Sequence, residues 1–427
     1  MRVVVAPDSF KGTIDAADAA GALTAGWRSV RGWDELRCLP MADGGEGTLA
    51  AVVSASTGTS TSTGTSTGTS TDTDAEAAPG AGAGAGVRLV EVPHVSGPDG
   101  RPVRGRFALL PDGTAVVELA VASGLPLLGG RLRPLTATTR GTGETVAAAL
   151  DAGARRLVIG LGGSASTDGG YGLLAALGAR LRDGAGRVLD DGPAGLDRAL
   201  EAARVLDRSA LRTAPPGGVV LLTDVTNPLL GGRGAAAVYG PQKGAGEPEV
   251  ALLERRLARL AELLGGDPAA PGAGAAGGTG YGLAAGWGAV VEPGAAAVAR
   301  LLGLPAAVAS ADLVITGEGR FDATSLQGKA VGEVVRLASA AGVPSVVVAG
   351  AADAPEVLTL SALAGSSAAA CREPAHWLYR AGAVLAARCG TPAGPSSGPS
   401  VCTPAGPSVG TPAGPSVGTP VGPSVDS

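Results

Sequence analysis

One pattern recurs five times along this chain: a short apolar run, a loop dense in Gly and Asp, then residues at helical spacing. Arg2–Ala6 runs into PDSFKG, and a helix is expected from about Asp15. There Ala16, Ala19, Ala20, Leu23, Trp27 and Val30 follow the 3.6-residue period. Leu36–Leu39 leads into MADGGEGT, Leu157–Gly160 into GGSASTDGG, Val219–Leu222 into TDVTNPLLGG, and Leu313–Ile315 into TGEGRFDATSLQGK. Strands alternating with helices predict α/β architecture with a largely parallel sheet. Ligands of such sheets bind outside the carboxyl ends of the strands, where every one of these polar loops falls. A single loop of this kind would signify only turns and helix caps. Five of them point to a site.

The middle of the chain differs. Val87–Val92, Arg104–Leu110 and Ala115–Ala120 are closely spaced expected strands, with Pro111–Gly113 as a turn. Pro248–Leu264 carries Leu253, Leu257, Leu260 and Leu264 on one stripe and stops at Gly265. The expected layout is a discontinuous outer domain, 1–56 plus 292–388, into which a mixed α/β domain, 87–291, is inserted. Ser/Thr/Gly/Ala repeats over 57–86 read as a lengthened surface loop, which costs only logarithmically in closure entropy. The Pro/Gly/Ser tail over 391–427 has too few large apolar groups for a core and reads as disordered or polyproline-like.

Charge excludes several classes of function. Net charge is −5, so no basic field exists to grip a phosphate backbone, and nucleic acid is not an expected partner. Apolar runs break well before the roughly 18 residues a membrane helix needs. Four cysteines show neither a CxxC pair nor framework spacing, and no signal-peptide layout follows Met1. The expectation is a reduced, cytoplasmic protein with incidental thiols, and the sequence leaves its oligomeric state open.

Lysine usage is the sharper clue. The chain has 30 arginines but three lysines, Lys11, Lys243 and Lys329, each beside glycine. Where Arg stands almost everywhere, a retained Lys marks a place a planar guanidinium does not fit, such as a tight pocket holding a phosphate or carboxylate.

The chemistry open to these loops is narrow. GxxxxGK[ST] is absent, as are HExxH, GxSxG and GxGxxG after the first strand, and the two histidines, His94 and His376, lie outside the motifs. What remains is carboxylates (Asp8, Asp43, Glu46, Asp168, Asp224, Glu318, Asp322), lysines, and loops rich in backbone N–H. Those parts suit phosphoryl transfer. Glycine loops cradle phosphate oxygens, one or two carboxylates hold Mg²⁺, another carboxylate takes the hydroxyl proton, and cations spread the moving charge.

Eight runs occur in order that resemble the type-1 glycerate kinase family: APDSFKG (6–12), PMADGGEGT (40–48), TTRGTGE (138–144), GLGGSASTDGG (160–170), DVTNPLLG (224–231), GPQKGA (240–245), PGAGAAGG (271–278) and LVITGEGRFD (313–322). The resemblance covers about Met1 to Gly350, the repeat insert excepted. It implies ATP-dependent phosphorylation of D-glycerate, a small-molecule substrate, with 2-phosphoglycerate the usual product. It also implies two α/β domains, one flavodoxin-like and one restriction-enzyme-like, with the site between them. Beyond Gly350 the resemblance thins, and the segment before Leu378 reads as one strand-plus-helix unit short. A kinase making 3-phosphoglycerate, an oxidoreductase on small hydroxy acids, and a disabled binding protein stay open as alternatives.

The expected roles follow. Lys11, with Asp168 and Asp224 as candidate bases, forms the catalytic set. Ser9, Gly162, Gly163, Ser164, Asn227, Lys243 and Arg320 are the candidate contacts to substrate or phosphate. Asp43, Glu46, Glu318 and Asp322 are the candidate Mg²⁺ ligands, with ATP as the phosphoryl donor.

Overall fold

The structure is a computed structural model, and it describes residues 1–57, 86–192, 195–326, 328–354 and 357–389. The repeat insert lies outside these residues but for its two ends, and the tail lies outside them entirely.

The chain opens with β1 (Arg2–Val5) and β2 (Glu35–Cys38). It then forms β3 (Arg88–Ser96), β4 (Pro102–Leu109), β5 (Thr114–Glu118), β6 (Arg156–Gly160), β7 (Arg180–Arg182), β8 (Val205–Asp207), β9 (Val219–Leu222) and β10 (Val290–Glu292). It returns to the first sheet with β11 (Leu313–Phe321), β12 (Ser345–Ala352) and β13 (Leu358–Thr359). The first sheet runs β2-β1-β11-β12-β13, parallel throughout. Counted within that sheet the order is 2-1-3-4-5, the flavodoxin-like arrangement, whose switch point falls between β1 and β11. The second sheet runs β3-β4-β5-β6-β9-β10; β5, β6, β9 and β10 pair parallel, and β3–β4 and β4–β5 pair antiparallel. β7 and β8 form a separate antiparallel pair.

Alternation along the strands explains how the layers stack. Val3 and Val5 point to the side where helices Ala16–Val30 and Pro374–Arg388 pack, while Val4 and Ala6 point to the opposite side. In the second sheet, Val117, Ile159 and Leu221 share one face, and Val116, Val158 and Val220 share the other. The inner faces of both sheets meet one common layer of helices: Thr48–Thr57, Gly294–Leu301, Leu304–Ala309 and Ala330–Ala340. Strands covered on both faces need apolar residues at nearly every position, which is why β1, β6 and β9 read as continuous runs while the edge strands β2 and β3 carry Glu and Arg. Helices Arg140–Asp151, Glu247–Leu264 and Ala275–Trp287 cover the far face of the second sheet.

Two features depart from the sequence reading. TGEGRF, expected as loop, is strand: β11 continues to Phe321 because β12 offers a ladder that far, with Glu318 beside Ala349 and Arg320 beside Ala351. Glycine permits this, since a Cβ at Gly317 would lie 2.2 Å from the Val348 oxygen. Cys389 is disulfide-bonded, against the expectation of incidental thiols, whereas Cys38 and Cys371 are free. No helix among the described residues is long and apolar enough to cross a membrane.

Candidate active site

Three cavities join end to end along the carboxyl ends of the strands. The first, of about 410 Å³, lies at the switch point and is lined by Asp8, Ser9, Lys11, Asp43, Glu318, Arg320, Asp322 and Lys329. The second, of about 610 Å³, shares Asp8, Ser9, Lys11, Thr13 and Asp43 with the first and Glu46, Gly162 and Gly163 with the third. The third, of about 380 Å³, adds Ser164, Tyr239 and Lys243 from the second-sheet side. One groove therefore crosses from one sheet to the other. All three lysines line it.

The loop after β1 supplies one wall of the first two cavities. Asp8 is half-buried, and burial, reinforced by the charges of Asp43 and Glu318, pushes its carboxyl up to about 6 against the pull of the Ser9 N–H and Lys11. The Ser9 N–H donates to Asp8 Oδ1 at 2.6 Å. Lys11 is exposed, and its ammonium makes no hydrogen bond or ion pair among the described residues. Across from it, Glu318 on β11 is 9% exposed, and its Oε1 has no hydrogen-bond partner. Burial raises the Glu318 carboxyl as well. A buried carboxylate oxygen left unpartnered is costly, so its position in a cavity wall marks a place for a ligand.

Asp43 Oδ1 accepts from the Gly45 N–H at 3.0 Å, and Glu46 is exposed where the second and third cavities join. Asp322 accepts from the N–H of Thr324 at 2.8 Å and its hydroxyl at 2.7 Å, which lowers its pKa. Arg320 pairs with Asp353 at 3.1 Å in the open.

On the second-sheet wall the same residue types are used differently. Lys243 is buried, and its ammonium donates to Ser164 Oγ and the Ser166 carbonyl. Burial depresses it to about 7, against the opposing charge of Asp168. Asp168 is buried and lines none of the three cavities. It accepts from the Thr138 hydroxyl, the N–H and hydroxyl of Thr139, and the N–H groups of Gly170 and Gly172. Asn227 also lines none of them. Its Nδ2 donates to the Arg233 carbonyl at 2.8 Å, and its Oδ1 accepts from the Tyr239 hydroxyl at 2.7 Å. Asp224 is exposed by surface area and accepts from the Gly294 N–H at 2.8 Å, at the start of a helix. The protein around its carboxyl, with Asp43 adding, raises it to about 6. Gly162 has a steric reason for its identity, since a Cβ there would lie 2.5 Å from the Gly45 Cα.

The sequence reading gave Asp8 and Lys329 no role, although lysine rarity had flagged Lys329. It also missed Ser367, Cys371 and Pro374, which close the first cavity from a segment without any motif.

The glycerate kinase family model matches residues 3–83 and 81–374. The chain belongs to the glycerate kinase family. It is 40% identical over 358 residues to glycerate kinase of Bacillus subtilis (strain 168), with 82% of this chain and 85% of that one covered. It is 36% identical to glycerate 2-kinase of Escherichia coli (strain K12) over the same shares of the two chains. A crystal structure from Salmonella typhimurium LT2, described as of a glycerate kinase 2, superposes with a TM-score of 0.73 at 35% identity. That match spans 91% of this chain and 97% of the other. Family membership makes the protein a kinase with ATP as phosphoryl donor.

Proposed function

We propose that the protein transfers the γ-phosphoryl group of ATP to the 2-hydroxyl of D-glycerate, giving 2-phosphoglycerate, and does so in the cytoplasm. The observation that carries this reading is the groove itself. It is continuous across both sheets and lined by every lysine of the chain, and a carboxylate poised near pH 6 stands beside an unpaired ammonium.

Asp8 is the group we assign to take the hydroxyl proton. With a pKa of about 6 it is mostly ionised at pH 7 yet basic enough to accept a proton in the transition state. Asp168 is the weaker candidate, because five donors already occupy its oxygens inside the fold. Asp224 is held at a helix start and is a supporting residue in this reading. Lys11 faces the groove free to meet the transferred phosphoryl group, and Lys329 lines the same cavity. Ser9, Gly162, Gly163 and Ser164 offer further donors along the groove wall.

Mg²⁺ fits this wall. The orphaned Glu318 Oε1 and the Asp43 carboxylate are the ligands we assign, with Glu46 within the groove and Asp322 half-committed to Thr324. Among the described residues no three His, Cys, Asp or Glu side chains already gather as a metal cage. Mg²⁺ commonly keeps several waters and takes one or two carboxylates plus substrate phosphates. Once bound it neutralises charge developing on the phosphates.

The test is incubation with ATP, Mg²⁺ and D-glycerate, coupled through enolase, pyruvate kinase and lactate dehydrogenase. NADH loss that needs enolase but no mutase is the expected result. A signal appearing only with phosphoglycerate mutase would move the product to 3-phosphoglycerate, and no glycerate-dependent ADP would overturn the reading.

A further inference from the structure

The loop that presents Asp43 and Glu46 is tied within itself by the Gly45 N–H to Asp43 Oδ1 and by the Thr48 hydroxyl to the Gly45 carbonyl. Gly44 and Gly47 sit at φ of 85° and 93°, and the helix that follows has no acidic residue in its first turn. Gly47, just before that helix, has no side chain with which to cap it. N–H groups at a helix start need acceptors from elsewhere. One arrives from 69 residues away: Glu118 Oε1 accepts from the Leu49 N–H at 2.5 Å.

Glu118 closes β5 and is 7% exposed. An acidic residue buried that deeply is rare unless its oxygens are employed. In the second sheet Glu118 stands level with Gly160 of β6, and Gly160 with Leu222 of β9. This row meets the loop at successive points. A Cβ at Gly160 would lie 2.5 Å from the Gly44 oxygen, and a Cβ at Gly44 would lie 2.6 Å from the Leu222 Cβ. The row is a seat, and Glu118 is its one polar clamp.

We propose that Glu118 is a positioning residue for phosphoryl transfer: it fastens the Asp43–Leu49 segment of the parallel-sheet side onto the mixed sheet, so that Asp43 and Glu46 stay aimed into the groove. It acts through the loop and touches none of the reacting groups. The proposal rests on the groove being the phosphoryl-transfer site.

The experiment uses the full chain with Glu118→Ala, Glu118→Asp and Glu118→Gln, following kcat and both KM values. Glu118→Asp keeps the charge but falls one methylene short of Leu49, and Glu118→Gln keeps an acceptor at the right reach. We expect kcat to fall about tenfold or more in Ala and Asp, as small misplacements do. Both KM values should change less than kcat does, and Gln should recover kcat to within about threefold of wild type. Wild-type kcat in Glu118→Asp would overturn the proposal. So would losses in all three variants that merely follow the folded fraction. If Glu118→Ala does not fold, Asp and Gln decide. A readout independent of turnover separates this proposal from the functional reading: amide exchange at Gly47–Leu49 should quicken about tenfold in Glu118→Asp, and unchanged exchange sinks it.

Discussion

On the parallel-sheet wall of the groove, Lys11 and Glu318 Oε1 make no hydrogen bond among the described residues. On the mixed-sheet side, Lys243 is buried against Ser164 and Ser166, and Asp168, which lines no part of the groove, takes five hydrogen bonds from its own fold. Both walls carry lysines and carboxylates at strand ends, so residue type alone does not tell them apart. For these side chains the difference is how much hydrogen-bonding capacity the fold has already spent, although Ser166 Oγ and Thr167 Oγ1 on the mixed-sheet side also lack a partner among the described residues. Groups left unpartnered can act on a ligand, and groups tied into the fold hold the wall in shape.

The largest effects should come from the unsatisfied wall. Asp8→Asn should lower kcat by about 10²–10⁴ if Asp8 takes the proton. Lys11→Ala should cost about 10² in kcat, with less change in KM, as expected for a cation acting on the transition state. Steady-state kinetics checks both, and either variant retaining full kcat would erase the contrast between walls.

Next in size is Asp168→Ala, which leaves buried donors without an acceptor. It should destabilise the chain by on the order of 3 kcal/mol in urea unfolding, while the folded fraction keeps kcat within a few-fold. A large kcat loss at unchanged stability would return Asp168 to the chemistry.

The pH dependence sharpens the comparison further. kcat/KM should rise with pH through about 6 as Asp8 loses its proton. The raised pKa also carries a stability cost. Between about 4 and 6 the folded state binds the Asp8 proton more tightly than the unfolded chain, so this contribution fades as pH rises. Asp8→Asn should therefore be more stable than wild type above pH 6, by about 1–2 kcal/mol once partial solvent access is allowed for, and the gap should close near pH 4. Parallel urea melts at pH 4 and pH 8 would show it. The smallest effect belongs to Arg320→Ala. Its pair with Asp353 is solvent-exposed, and kcat should change by less than about threefold; a larger loss would make the guanidinium a substrate contact.

Much of the fold could be read along the chain. The helix after PDSFKG begins where Asp15 caps it, with Oδ1 accepting from the Asp18 N–H at 2.8 Å. Leu253, Leu257, Leu260 and Leu264 do face the core from one helix stripe. The C-terminal segment, read as one unit short, still completes a five-stranded sheet, with helix Pro374–Arg388 packed on helix Ala16–Val30. Close approach makes that packing possible, since a Cβ at Gly26 would lie 1.9 Å from the Tyr379 oxygen. The site was less legible. Asp8, Asp168 and Asp224 all follow strands in Gly-rich loops, and nothing local ranks them.

The sequence by itself determined the strand and helix periods, the placing of polar loops at strand ends, and the scarcity of lysine that singles out Lys11, Lys243 and Lys329. These follow from backbone geometry and from apolar partitioning, which act between near neighbours. Tertiary structure decided which of the polar groups remained available. Glu118 meets Leu49 across 69 residues, and β11 runs on to Phe321 only because β12 lies beside it. Whether a carboxylate is a cap or a base depends on which N–H groups the fold brings within about 3 Å of it, and those belong to distant parts of the chain.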